Sequence, residues 1–170
     1  MMKTLVLTTV CMLTITAHAD DAAPHVSVTT DAMTLVGIVD LTVEAKLMPH
    51  VGASATLGAG ALVFDTSIHA KLAGVGANYY LGDELAGWHV GTQAKYISVT
   101  ADGGMSSSPL FGQGLGVAAY GGYKWMRPSG FTAYVQLGVA AGSVVISDRS
   151  GSIGGRMVGS MTNAGIGYSF

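Results

Sequence analysis

Cysteine is nearly absent from this sequence: one in 170 residues, Cys11, lying in a stretch that export is expected to remove. That excludes a disulfide scaffold, a cysteine nucleophile and a thiolate metal site. As a lipoprotein attachment point Cys11 is poorly matched, because Thr8-Thr9-Val10 precedes it. Charge is scarce too, at 11% of residues, against roughly a quarter in an ordinary soluble domain. A formal net charge of −2 excludes a basic nucleic-acid binder, and 49% hydrophobic residues exclude a disordered acidic chain. Beyond the first 19 residues no apolar run approaches the ~18 residues that a spanning helix needs. Yet mean hydropathy is high, +0.47.

The N-terminus carries Lys3, an apolar stretch from Leu5 to Ile15, and the small-residue end Ala17-His18-Ala19. That pattern predicts a signal peptide over 1–19 cleaved before Asp20. A short leader, 20–24, and a single domain, 25–170, would remain, with a formal charge of −3 once Lys3 is gone. Glycine is abundant, 25 residues, and scattered. An exported, hydrophobic, glycine-rich chain without spanning helices has one other way into a membrane. It can close a β-barrel in which every backbone polar group is paired.

Period-two alternation, the mark of a strand with one apolar face, recurs along the chain. Leu35, Gly37, Val39, Leu41, Val43 and Ala45 follow Met33 at every second position. The same pattern runs from Val51 to Ala59, Ala73 to Leu81, Trp88 to Tyr96, Leu115 to Trp125, Phe131 to Ala141 and Val158 to Phe170. None of these positions is charged, and the opposite face holds Asp40, Glu44, Lys46, Asn78, His89, Gln93, Lys95, Lys124, Gln136 and Asn163. A soluble barrel reverses that polarity; a membrane barrel requires it. Short connections at 47–50, 82–85 and 126–130 contain Pro, Gly, Asp or Ser. Longer polar ones are expected near 64–67, 101–112 and 142–156. Seven strands are visible, closure favours an even number, and His25–Thr30 is the candidate first strand. The expectation is an all-β, antiparallel, up-and-down transmembrane barrel of eight strands.

The chain resembles the small eight-stranded outer-membrane β-barrels of Gram-negative bacteria, the OmpA-transmembrane-domain and OmpX-like kind. The most specific element of the likeness is the last strand, Ala164-Gly165-Ile166-Gly167-Tyr168-Ser169-Phe170. By that resemblance Ile166, Tyr168 and Phe170 form a signal for the barrel-assembly machinery. Aromatics beside the short turns, Tyr79, Trp88, Tyr123, Trp125, Phe131, Tyr168 and Phe170, would form a periplasmic girdle. The opposite girdle is thinner, with Tyr96 as its candidate. The resemblance implies a bacterial outer-membrane location, outer-membrane lipid as surroundings, a monomer and a bare barrel.

An eight-stranded lumen is just wide enough for side chains to fill. Asp40, Glu44, Lys46, His89, Gln93, Lys95, Tyr120, Lys124 and Gln136 are therefore expected to form a packed polar network. Glu44, Lys124 and His89 would lie in a lower tier, and Asp40, Tyr120, Gln136 and Gln93 some four residues higher. The alternative is a proton or ion path, since charges at membrane depth often mark function. Enzyme readings are thin. Glu44 with His89 lacks a nucleophile, and His25-Val26-Ser27 is the nearest approach to a hydrolase pattern. Gly112-Gln113-Gly114-Leu115-Gly116 lacks the Lys-Ser/Thr of a phosphate loop. His50, His69 and His89 fall near different strand ends, without zinc-site spacing. Neither a metal nor another cofactor is expected, and no catalytic residue is assigned. The functional expectation is a packed barrel with a structural or surface-interaction role carried by loops near 100–113 and 147–156, their ligand unnamed. The alternatives are a narrow channel or transporter for small solutes and, third, a lipid-modifying enzyme.

Overall fold

The computed structural model describes residues 25–31, 38–63, 67–82, 84–101 and 109–170. The expected signal peptide, the leader, the start of the strand read from Met33, and the connections at 64–66 and 102–108 lie outside the described residues. Eight antiparallel strands follow one another around a closed ring. They are β1 (Val26–Asp31), β2 (Ile38–Met48), β3 (Val51–Val63), β4 (Ser67–Tyr80), β5 (Gly87–Ala101), β6 (Leu110–Met126), β7 (Phe131–Asp148) and β8 (Gly151–Ser169). The stretch at 25–30 thus supplies the eighth strand, and β1 closes the ring by pairing Ser27–Asp31 with Gly165–Ser169.

The ladder also fixes the stagger of the ring. Following paired residues from Val28 through Val43, Ala55, Val75, Ala94, Val117 and Ala141 leads to Val158 on β8. Val28 itself pairs with Tyr168, ten residues further along β8. Eight strands with a ten-residue stagger tilt by about 40–45° and leave a narrow interior.

At one end the connections are tight. Pro49–His50 joins β2 to β3, with His50 at φ 69°, and Arg127–Gly130 joins β6 to β7. Gly130 sits at φ 85°, where its missing side chain leaves room for the Tyr168 ring. The start of β1 and the end of β8 meet here too, as His25 N and Val26 N donate to Phe170 O at 2.7 and 3.2 Å.

At the far end one expectation fails. The polar stretch 142–156 is not a loop: β7 and β8 stay paired up to Asp148 and Gly151, and only Arg149-Ser150 turn. Asp148 Oδ1 closes that turn by accepting from the Ser150 hydroxyl and from the backbone N–H groups of Ser150 and Gly151. These bonds, the Ser150 hydroxyl first, hold the Asp148 carboxyl below its usual range. Similarly, β5 runs to Ala101 and β6 starts at Leu110, so the connection read as 101–112 shrinks from both sides.

The inner face is mostly small or polar, but at the far end it turns apolar. Ile38, Ala70 and Leu72 form an apolar cluster inside the ring, with Ile97 and Val99 packed against it. Correspondingly, the outer face is not charge-free there, because His69, Lys71 and Arg156 are exposed.

Glycine lets the strands close. A Cβ on Gly167 would strike the Val28 carbonyl oxygen and lie 2.6 Å from Thr29 Cα, both backbone. β1 joins β8 over a register of only five residue pairs, so this seam has little room to yield. Gly167→Val should therefore destabilise the folded barrel by about 1–3 kcal/mol through overpacking. Gly155→Ala, with nothing within 4 Å of its Cβ, should be neutral. Urea unfolding in detergent micelles checks the pair.

Candidate functional site

The site is the buried polar network of the lumen. Alternation fixes which side chains point inward, and the stagger decides which of them meet. Glu44 on β2 and Lys124 on β6 stand on opposite sides of the ring. Lys124 Nζ donates to Glu44 Oε2 at 2.7 Å, and both residues are buried. Tyr80 OH lies 2.9 and 3.0 Å from the two oxygens of Glu44, and Asn78 Nδ2 donates to Oε1 at 2.7 Å. Asn78 Oδ1 in turn accepts from Tyr120 OH at 2.9 Å. Glu44 is thus a carboxylate with one cation and two neutral donors, Tyr80 and Asn78, around it, the condition under which a buried charge is tolerated.

A second chain of bonds leads away from this centre. Asn163 Nδ2 donates to Asp31 Oδ2 at 2.8 Å and to Gln136 Oε1 at 3.3 Å. A carboxylate only accepts, so Asn163 must present its NH2 to Asp31, and Gln136 must then present its own NH2 to His89 Nε2, 3.2 Å away. The hydrogen of His89 is consequently assigned to Nδ1, which faces Gly87 O at 3.3 Å. Gln136 therefore bridges the two tiers instead of standing in the upper one.

Above, Lys95 Nζ lies 3.8 Å from Asp31 Oδ2 and 3.7 Å from Asp40 Oδ2, too far for hydrogen bonds but close enough for ion pairing. Asp31 N donates to Asp40 Oδ1 at 3.0 Å. The remaining oxygens, Asp31 Oδ1 and Asp40 Oδ2, are buried without a hydrogen-bond partner. Gln93 Nε2 lies 3.2 Å from Met161 Sδ. Lys46 sits lower, half-buried near the short-turn rim in register with Gly52.

Space within the network is small. The cavity among Glu44, Asn78, Tyr80, His89, Tyr120 and Lys124 is about 40 Å³, room for a water or so. Higher in the lumen a cavity of about 320 Å³ opens over Lys95 and Asn163, walled by Gly116, Ala118, Ala140 and Met161. The lumen is thus filled at the short-turn end, and above it a cavity on the β5–β8 side lies opposite the apolar cluster of Ile38, Ala70 and Leu72.

Glu44 and His89 share no hydrogen bond, since their polar atoms are engaged elsewhere. Ser27 is 0% exposed, paired in register with Ser169. Among the described residues no group of three or more His, Cys, Asp or Glu could hold a metal ion. Around the short turns Tyr79, Trp88, Trp125, Phe131 and Tyr168 are exposed on the outer face. Tyr123 is half-buried between its neighbours, edge-on to Trp88 at 5.2 Å and 4.8 Å from Trp125. Ile166 is exposed outward, and the Tyr168 and Phe170 rings lie 4.9 Å apart.

Asn78 and Asn163, expected inward but not in the network, belong to it, and two further members, Tyr80 and Asp31, escaped the sequence reading. Tyr80 stands beside the outward-facing Tyr79, yet its even-numbered position, shared with Asn78, already placed it inside. Asp31, one residue past the expected first strand 25–30, is the last residue of β1.

No protein-family model, no curated protein and no solved structure significantly matches the chain.

Proposed function

We propose that this protein is an integral outer-membrane β-barrel whose packed lumen makes it a scaffold rather than a pore, with surface interactions placed at its far end. One observation carries the reading: the outer face is apolar and exposed while the charges are buried within. Val39, Leu41, Val43, Leu57, Val75, Val90, Leu115, Val117, Leu137, Val139 and Ile166 are each between 40% and 70% exposed. Asp40, Glu44, His89 and Lys124 are buried. Water does not sustain so continuous an apolar surface, whereas lipid requires it. On β7 the apolar outer positions run from Phe131 to Ala141. At about 3.3 Å per residue and a tilt near 45°, they cover roughly 24 Å, matching the ~25 Å band of such barrels.

The channel alternative is disfavoured by the filled lower lumen, and the hydrolase alternative by the burial of Ser27. The resemblance of the final strand adds the barrel-assembly machinery as the partner in insertion. Expressed in a Gram-negative host, the protein should begin at Asp20, fractionate with the outer membrane and resist carbonate extraction. In planar bilayers it should give no steady conductance. Recovery as a soluble periplasmic monomer, or an intact N-terminus by mass spectrometry, would overturn the reading; a stable single-channel current would restore the channel.

A further inference from the structure

At the far edge of the apolar band the outer face changes character. In register across three strands stand Lys71 on β4, Ser98 on β5 and Gln113 on β6. With strands about 4.8 Å apart, an ammonium, a hydroxyl and an amide lie side by side within about 10 Å. His69 faces Thr100 one outward position higher. Among the described residues every outward charge at this level is basic, with Arg156 on β8 continuing the series. The described carboxylates lie elsewhere: Asp31, Asp40 and Glu44 are buried in the lumen, Glu84 belongs to the opposite end, and Asp148 to the hairpin tip.

Beneath these donors, past Tyr96, lies a second and independent feature. A shallow trough of about 610 Å³ crosses the outer face, with small side chains at Ala77, Thr92, Ala94 and Ala119 between the exposed Val75 and Val117. It is almost wholly apolar. Donors above an apolar trough, separated by one tyrosine, match an amphiphile whose negative head lies at the band edge and whose chain runs down the wall.

We propose that the outer face of β4–β6 binds one lipid with a net-negative phosphate headgroup, held by Lys71, Ser98 and Gln113, with an acyl chain in the trough. The proposal rests on the membrane reading above and names its partner at one place on the wall. Charge complementarity chooses the headgroup, since Lys71 is exposed outward and no described carboxylate neutralises it there. It also orients the barrel, with the Lys71 end in the leaflet that presents the anionic heads.

The test is native mass spectrometry of the mature protein released from vesicles of phosphatidylglycerol and phosphatidylcholine with identical chains. Wild type should retain phosphatidylglycerol in preference. Lys71→Gln should lower the ratio of the two retained lipids about fivefold, the worth of one cation at an anionic surface. Ala94→Phe, which fills the trough, should lower retention of both lipids alike. Arg127→Gln, at the opposite end, should change neither. An unchanged ratio in Lys71→Gln, with the protein inserted normally, would overturn this site and leave the membrane reading intact. Failure of wild type to insert into either vesicle would overturn both.

Discussion

Replacing Lys124 with methionine should destabilise the barrel by about 3–5 kcal/mol, the cost of leaving a buried carboxylate without its counter-charge. Lys124 Nζ is 2.7 Å from Glu44 Oε2, and both side chains are almost fully out of solvent. Tyr80 and Asn78 would still donate to Glu44. Neutral donors solvate a charge without cancelling it, and the cavity beside it holds no more than a water or so. The decisive comparison is the double variant Glu44→Gln with Lys124→Met. Removing both charges leaves a neutral amide that Tyr80 and Asn78 can still serve in part, so the double change should cost much less than the sum of the singles. A double-mutant cycle by urea titration in lipid vesicles reads this directly. Small additive effects, accompanied by a new or altered conductance, would mean that both groups are hydrated and that the lumen is a path rather than a plug.

How much of this network the sequence showed depends on what each signal measures. Alternation reports which face a side chain takes, and it placed Glu44, His89, Lys124 and Gln136 inward from residue parity alone. Which inward groups touch is a property of ring stagger. Gln136 was assigned to the tier of Asp40 by counting residues from its turn. The ladder instead puts Gln136 in register with His89 through Gly122, and so the two side chains meet. Partners four strands apart, as Glu44 and Lys124 are, become neighbours only once eight strands close with the observed ten-residue displacement.

The misread far end has a different cause. Above the apolar band a strand no longer has an apolar outer side and a core side, so the alternation in the sequence disappears. Residues 142–156, rich in Gly and Ser, therefore looked like a loop although their backbones stay paired. Likewise, with no outward apolar requirement at that height, Lys71 can point out while Ala70 and Leu72 point in.

Leu137→Arg should cost about 2–4 kcal/mol in lipid vesicles, the penalty for a cation near the middle of the hydrocarbon. Leu137 is 60% exposed on the outer face, midway along β7 between Phe131 at the aromatic rim and Ser143, where outward polar residues begin. The neighbouring inward position gives the contrast. Gln136→Arg keeps a donor for His89 but removes the Oε1 that accepts from Asn163. It should cost about 1–3 kcal/mol through that lost acceptor and overpacking. Val135→Arg, outward but nearer the rim, should fall below Leu137→Arg because the guanidinium can reach the interface. On the proposed membrane reading the two faces respond to different solvents, which makes the comparison informative beyond its magnitudes. In a water-soluble barrel an exposed leucine exchanged for arginine changes stability by no more than about 0.5 kcal/mol. A refolding titration in which Leu137→Arg is neutral, while Gln136→Arg keeps its cost, would show that the apolar face meets water or another protein. The ordering Leu137, then Val135, with Gln136 insensitive to bilayer thickness, is what a wall immersed in hydrocarbon demands.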